Sequence, residues 1–230
     1  NSSIGQGYMW ATPLQLATAT AIAANKGVVV KPRMLAAVDG EPFEPQDLNP
    51  VADVQIDNPD NWRYIEESMT MVVHRPYSQV FRDYGTAYEA IARADREMSY
   101  KMAGKSGSAQ VVSIAQDILQ SEDIDVSELN KDHALFVAYA PAQHPTIKPQ
   151  IAVAVFVENG QHGSSVAGPV AKAVIDAYLL DILQIDFTSL ATDPDGLLSF
   201  DASRAPQQSF DPAAGFLTLA DAKHEGHVHD

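Results

Sequence analysis

The chain has 230 residues, 46% hydrophobic and 20% charged, with no cysteine. That length and apolar content suit a folded chain with one substantial core and exclude wholesale disorder, disulfides, thiolate metal sites and a cysteine nucleophile. Fifteen basic against 30 acidic residues leave a net charge of −15, which repels nucleic acid and anionic lipid over most of the surface.

The opening Ser2-Ser3-Ile4-Gly5-Gln6-Gly7 is loop chemistry with no element before it, so a preceding part of the fold is expected in addition to these residues. Thr12-Pro13-Leu14-Gln15 is a capping box with proline at the first helical position, and a helix is expected to run to Asn25, with Gly27 as its stop. Val28–Val30 reads as a short strand. Residues 39–61 form a long loop, with seven acids and no base between Asp39 and Asp60. An acidic loop of this kind is read as a solvated one. Trp62 to His74 is a second helix, because Ile65, Met69, Val72 and Val73 share one face at helical spacing. Gly85-Thr86-Ala87 makes a turn, and 88–97 is expected to be a short charged helix.

Three strands follow. The first carries Gly104-Lys105-Ser106-Gly107-Ser108, and the others are Ala134–Ala140 and Ile151–Val157. The last of these is an unbroken apolar run and is far shorter than the roughly 18 residues of a membrane span. Both apolar strands read as covered on both faces. After Glu158-Asn159-Gly160, the row Val166, Val170, Val174, Tyr178 and Ile182 predicts the buried face of a final helix. Eight acids against Arg204 and Lys223 mark 186–230 as an acidic, disordered tail. The expected division is therefore 1–185 and 186–230.

Gly104-Lys105-Ser106-Gly107-Ser108 carries the chemistry. A nucleotide-binding P-loop would place glycine at position 99, where Ser99 stands, and its bulky Tyr100–Ala103 segment is poorly suited to curling round a phosphate. The alternative is the Lys-Thr/Ser-Gly element of penicillin-interacting serine enzymes. In that reading the Lys105 ammonium gives fixed charge beside a substrate carboxylate, and the Ser106 hydroxyl donates to it. Gly107 lets substrate lie against the strand, and the Ser108 N–H points at a developing oxyanion, where such a donor contributes roughly 3 kcal/mol. The motif is expected on a strand paired with 134–140 and bordering a cleft.

Ser3-Ile4-Gly5-Gln6-Gly7, Thr12-Pro13-x-Gln15, Gly85-Thr86-Ala87, Gly104 through Val111 and Glu158-Asn159-Gly160 occur in this order. Together they resemble the C-terminal part of the transpeptidase domain of class B penicillin-binding proteins, in the elongation-specific branch of Gram-negative bacteria. The resemblance covers about residues 2–185 of the chain. It implies an α/β fold of the penicillin-binding and β-lactamase type, with a mainly antiparallel sheet flanked by helices and incomplete at its N-terminal side. The last two strands and the final helix should hold the core.

The activity implied is peptidoglycan D,D-transpeptidation on a stem peptide ending in D-Ala-D-Ala, with β-lactams as mimics and no cofactor. Hydrolysis by a β-lactamase-like or D,D-carboxypeptidase relative, or a non-catalytic sensor or scaffold, are the alternatives. The resemblance further implies the periplasmic face of the inner membrane, a membrane glycan polymerase and elongation-complex proteins as partners. Lys105 and Ser108 are the implied catalytic residues, and Ser106, Gly107 and Ser108 the substrate-binding ones, both serines acting on the carboxylate through their hydroxyls. The family also needs Ser-x-x-Lys and Ser-x-Asn. No serine here has lysine three residues on or asparagine two residues on, so the chain holds one wall of a site and not its attacking group.

Among the histidines, His74 reads as a helix-end cap or core residue, His133 and His144 flank a strand in loops, and His162 follows Asn159-Gly160 near the start of the last helix with no role assigned. His224, His227 and His229 have metal-binding spacing but sit in the acidic tail, which favours a solvated segment.

Overall fold

The structure, a computed structural model, describes residues 10–35, 37–39, 41–42, 50–93, 98–109, 131–187, 191–192 and 198–199. The opening Ser-Ile-Gly-Gln-Gly segment and the three tail histidines lie outside the described residues. The chain divides into two compact units.

The larger unit begins with helix α1 (Pro13–Ala24). Both halves of the capping box form: Thr12 N donates to Gln15 Oε1 at 2.8 Å and Gln15 N to Thr12 Oγ1 at 3.2 Å. The helix closes with Lys26 N on Ala23 O and Gly27 N on Ile22 O, a Schellman arrangement. The first left-handed residue is Lys26, with φ 54°, and Gly27 follows at 97°. Gly27 is needed for space as well, since a Cβ there would stand 2.4 Å from Val54 O. The expected strand at Val28–Val30 does not form. Val54 N bonds Gly27 O and Val29 N bonds the Asp53 carboxylate, so this segment is held by a loop and a side chain instead of a ladder.

The smaller unit holds, among its described residues, an antiparallel ribbon of β1 (Ala37–Val38) and β2 (Glu41–Pro42), at the head of the stretch read as an acidic loop.

In the larger unit α2 (Asp60–His74) follows, with Thr70 and Val73 buried. Met69 and Val72 pack against the core, whereas Ile65 remains 40% exposed. Of the charged helix expected at 88–97, Tyr88–Ala92 forms one π-helical turn that buries Ile91.

Strands β3 (Ala103–Ala109), β4 (His133–Ala140) and β5 (Ile151–Val157) make one antiparallel sheet in the order β3-β4-β5. Ala134, Phe136, Ala138 and Ala140 of β4 are buried on one face, with helix α3 (Gly168–Asp176) packed against them. On the opposite face Tyr139 packs with Ala24, Ala103, Ala142, Met69 and Ala152, under α1 and α2. Cover is incomplete further along that face, where Leu135 and Val137 are half-buried and Lys105 is exposed. The strands are thus less enclosed than their apolar sequences suggest.

The valine row predicted for the core side of α3 faces outward. Val166, Val170 and Val174 are 38%, 46% and 46% exposed, and Ala167, Ala171, Ile175 and Leu179 are buried instead. The reason is close approach. Gly168 meets Ile91 and Phe136 side chains at 3.0 and 3.6 Å from its Cβ position, a separation that the neighbouring row of larger valines would not permit. The helix is entered and left through π-helical turns, Gly163–Ala167 and Ala177–Ile182.

One polar tie joins the approach of β3 to α3, and a pair within α3 supports it. The Tyr100 hydroxyl donates to Asp176 Oδ1 at 2.5 Å, and Lys172 pairs with the other oxygen of that carboxylate. Burial, then Asp176, raises the Tyr100 pKa, which keeps the phenol protonated. A short ribbon of β6 (Ala191–Thr192) and β7 (Leu198–Ser199) ends the described part of this unit. Among the described residues no helix is long and apolar enough to cross a membrane.

Candidate functional site

The motif lies on β3, paired with β4 as expected: Lys105 opposite Val137, Ser106 opposite Phe136, Gly107 opposite Leu135 and Ser108 opposite Ala134. Residues opposite one another in a ladder share a face. Phe136 and Ala134 belong to the α3-side core, so Ser106 and Ser108 take that side. Lys105 and Gly107 take the other, where the sheet is least covered. Sequence reading placed all four residues in one wall without this division.

The main chain divides in a second way. A strand residue directs its N–H and C=O to one side, and its neighbours direct theirs to the other. Ala140 O accepts from Gln150 N at 2.8 Å, so Ala140, Ala138, Phe136 and Ala134 bond towards β5. Leu135 and Val137 therefore bond towards β3, where Gly107 and Lys105 return the bonds. The peptide groups of Gly104, Ser106 and Ser108 are left facing away from β4. Among the described residues no strand pairs with that side of β3. The Ser106 carbonyl on this rim is taken by the Lys105 ammonium, with Nζ 2.6 Å away.

The result is a rim with a cation folded over it and outward N–H groups at Ser106 and Ser108. The Ser108 hydroxyl, expected to reach a carboxylate, donates instead to Gln161 O at 3.0 Å. What Ser108 offers the rim is its N–H. Gly107 leaves room on the Lys105 side, where a Cβ would meet only Leu135 Cβ, at 3.5 Å. Gly104 makes room for the core instead, since a Cβ there would lie 2.7 Å from two atoms of the Phe136 ring.

Three of the described histidines, His74, His133 and His144, accept backbone N–H groups. His74 Nε2 accepts Met102 N at 2.9 Å and ties the end of α2 to the approach of β3. Burial, then the nearby Lys101 charge, lowers its pKa to about 4, so it is neutral at pH 7. His133 Nδ1 accepts Asn159 N at 3.0 Å, and its ring meets Phe156 edge-on. His144 Nδ1 accepts Ile147 N at 2.9 Å, and burial lowers its pKa. Among the described residues no group of three or more His, Cys, Asp or Glu side chains is placed to hold a metal ion.

Sequence reading missed Gly163. It follows Gly160 by three residues at the entry to the last helix, and that repeat of glycine was the available signal.

A family model for the penicillin binding protein transpeptidase domain matches residues 1–176. The chain belongs to that family. As a penicillin binding protein transpeptidase domain it is 43% identical over 180 residues to the peptidoglycan D,D-transpeptidase MrdA of Acinetobacter baumannii, covering 77% of this chain and 24% of that protein. It is 39% identical over 182 residues to the protein of the same name from Haemophilus influenzae, covering 76% of this chain and 25% of that one. The chain spans about a quarter of the length of these curated relatives. The penicillin-binding protein PBP2 of Helicobacter pylori, solved in complex with MreC, has a similar fold. Its TM-score is 0.51 at 24% identity, covering 79% of this chain and 27% of that one.

Proposed function

We propose that this chain forms the substrate-strand wall of a peptidoglycan D,D-transpeptidase. What carries the reading is the open rim of β3, where the Lys105 ammonium and the outward N–H groups of Ser106 and Ser108 stand together. A peptide ending in a free carboxylate adds alongside such an edge, with main-chain bonds supplying affinity and the ammonium supplying charge. In this reading Lys105 and the Ser106 hydroxyl hold the terminal carboxylate of a D-Ala-D-Ala stem peptide. The Ser108 N–H donates to the oxygen that becomes negative when the penultimate D-alanine carbonyl is attacked.

The attacking serine and its base belong to the portion of the relatives that this chain does not span. Attack forms an acyl-serine bond and releases terminal D-alanine. An amine from a neighbouring strand then takes the acyl group and returns the serine. β-Lactams occupy the same rim and stop at the acyl stage. Transfer to an amine is preferred over hydrolysis because the matched relatives carry the transpeptidase name. Work at the periplasmic face of the inner membrane follows from the same reading, as does assembly with a glycan polymerase. The Helicobacter relative was solved with MreC, which supports elongation-complex partners here too.

The test is a hybrid in which residues 1–185 replace the corresponding quarter of the Acinetobacter relative. A fluorescent penicillin should label the hybrid, Lys105→Ala should reduce labelling by about a hundredfold, and the 230-residue chain alone should form no adduct. A folded hybrid that stays unlabelled, or an adduct on the chain alone, would refute the proposal.

A further inference from the structure

An edge strand bonded on one side is free to shift or twist unless something else fixes it. The outer end of β3 has a second hold. Gly163 is buried at the start of the turn leading into α3. A Cβ on it would stand 2.2 Å from Leu135 O, 2.6 Å from Gly107 O and 3.0 Å from Gly107 N. Its φ is not among the positive ones, so glycine is present here for space and not for conformation. The chain at Gly163 thus lies directly on the peptide groups through which β3 and β4 bond at Gly107.

The same turn holds Ser108 through the hydroxyl bond to Gln161 O, at 3.0 Å. It is itself fixed to the start of β4: Gln161 N donates to Asp132 O at 2.8 Å, Asn159 N to His133 Nδ1 at 3.0 Å, and Asn159 Nδ2 to Lys131 O at 2.9 Å. Asn159 and Gln161 are left-handed, with φ of 53° and 61°, a conformation non-glycine residues keep only when the surroundings impose it. The clamp is therefore rigid at its base and touches β3 at two successive residues, Gly107 and Ser108.

We propose that Gly163 is a positioning residue: by seating the 159–163 turn on the Gly107 and Leu135 peptide groups, it sets the direction of the Ser108 N–H on the open rim. The consequence for substrate rests on the reading of β3 as the substrate strand; the geometric effect does not. A methyl group at Gly163 pushes the turn off the ladder and rotates the Ser108 peptide, and loss of the Ser108 hydroxyl relaxes the same hold more gently.

The test uses amide NMR spectra of the nitrogen-labelled full chain, with N-acetyl-D-alanyl-D-alanine as the titrant. In the unsubstituted chain the Ser106 and Ser108 amide resonances should move on titration. In Gly163→Ala both should be displaced before titrant is added, with Ala103 and Ala138 unmoved as controls for the fold, and apparent affinity should fall about tenfold. Ser108→Ala, which keeps the N–H at position 108, should shift the same two resonances by less. It carries the test if Gly163→Ala does not fold. Resonances at 106 and 108 that stay in place in a folded Gly163→Ala chain, or in Ser108→Ala if only that variant folds, would overturn the positioning role. Displaced resonances with no response to titrant in the unsubstituted chain would leave the clamp standing and remove the substrate-strand reading.

Discussion

Gly104 and Phe136 should behave as a coupled pair, and the coupling can be worked out from their geometry. Phe136 is fully buried, and the methyl group of a Gly104→Ala variant would fall 2.7 Å from Cε1 and Cζ of its ring. A contact that short forces the ring aside, and overpacking of this kind costs about 1–3 kcal/mol. Phe136→Leu removes those two atoms while keeping an apolar side chain, at a cost of about 1–2 kcal/mol for the lost packing. Independent effects would sum to roughly 2–5 kcal/mol. They should not sum. With the ring tip gone, the remaining short neighbour of the new methyl is Val137 O at 3.2 Å, a tight but tolerable approach. Gly104 also lies at an ordinary negative φ, where alanine gains roughly 0.4–1 kcal/mol by restricting the unfolded chain. Gly104→Ala should thus destabilise the native sequence and be neutral or slightly stabilising in the Phe136→Leu background. Urea unfolding of the four chains, followed by far-UV circular dichroism, measures the cycle. Effects additive to within about 0.5 kcal/mol would show that the ring does not rest on Gly104.

Three further outcomes are expected. His74 has a folded pKa near 4 against 6.5 unfolded, so the unfolded chain binds the extra proton between those values. Its contribution is complete above pH 6.5 and lost as pH falls towards 4; urea midpoints across that window should fall by the equivalent of about 2 kcal/mol more than in His74→Gln, after allowance for solvent screening. Tyr100→Phe should lower stability by about 1–2 kcal/mol in the same assay, because it deletes a bond to a carboxylate that Lys172 still holds; an unchanged midpoint would make that bond irrelevant. Gly27→Ala should lower the thermal midpoint by several degrees, about 2 kcal/mol, since it combines φ 97° with a 2.4 Å approach to Val54 O.

The capping box at Thr12–Gln15 and the strands at 134–140 and 151–157 were legible because each is decided by adjacent residues. The final helix shows where local pattern stops. Val166, Val170 and Val174 form one apolar row, and Ala167, Ala171, Ile175 and Leu179 form the next. Periodicity weights the larger side chains, whereas packing selected the row that lets Gly168 approach Phe136. Val28–Val30 looked like a strand because valine favours one, yet Val28 N bonds back to Asn25 O and Val29 N to the Asp53 carboxylate, and Val54 N reaches Gly27 O. For the candidate site, residue types and order were enough to place Lys105–Ser108 on a strand paired with 134–140. Which face each takes depends on register against β4, and the engagement of the Ser108 hydroxyl depends on a turn 53 residues away. Neither is written in the motif itself.

The outward groups on β3 are peptide N–H groups, and this has an evolutionary edge. Every amino acid except proline supplies the same donor at positions 106 and 108, so exchanging a side chain there leaves the main-chain N–H groups in place. Redirecting these donors means tilting or sliding the strand itself, and the places from which that can be done are remote: the turn before α3, the Phe136 ring and the His74 tether.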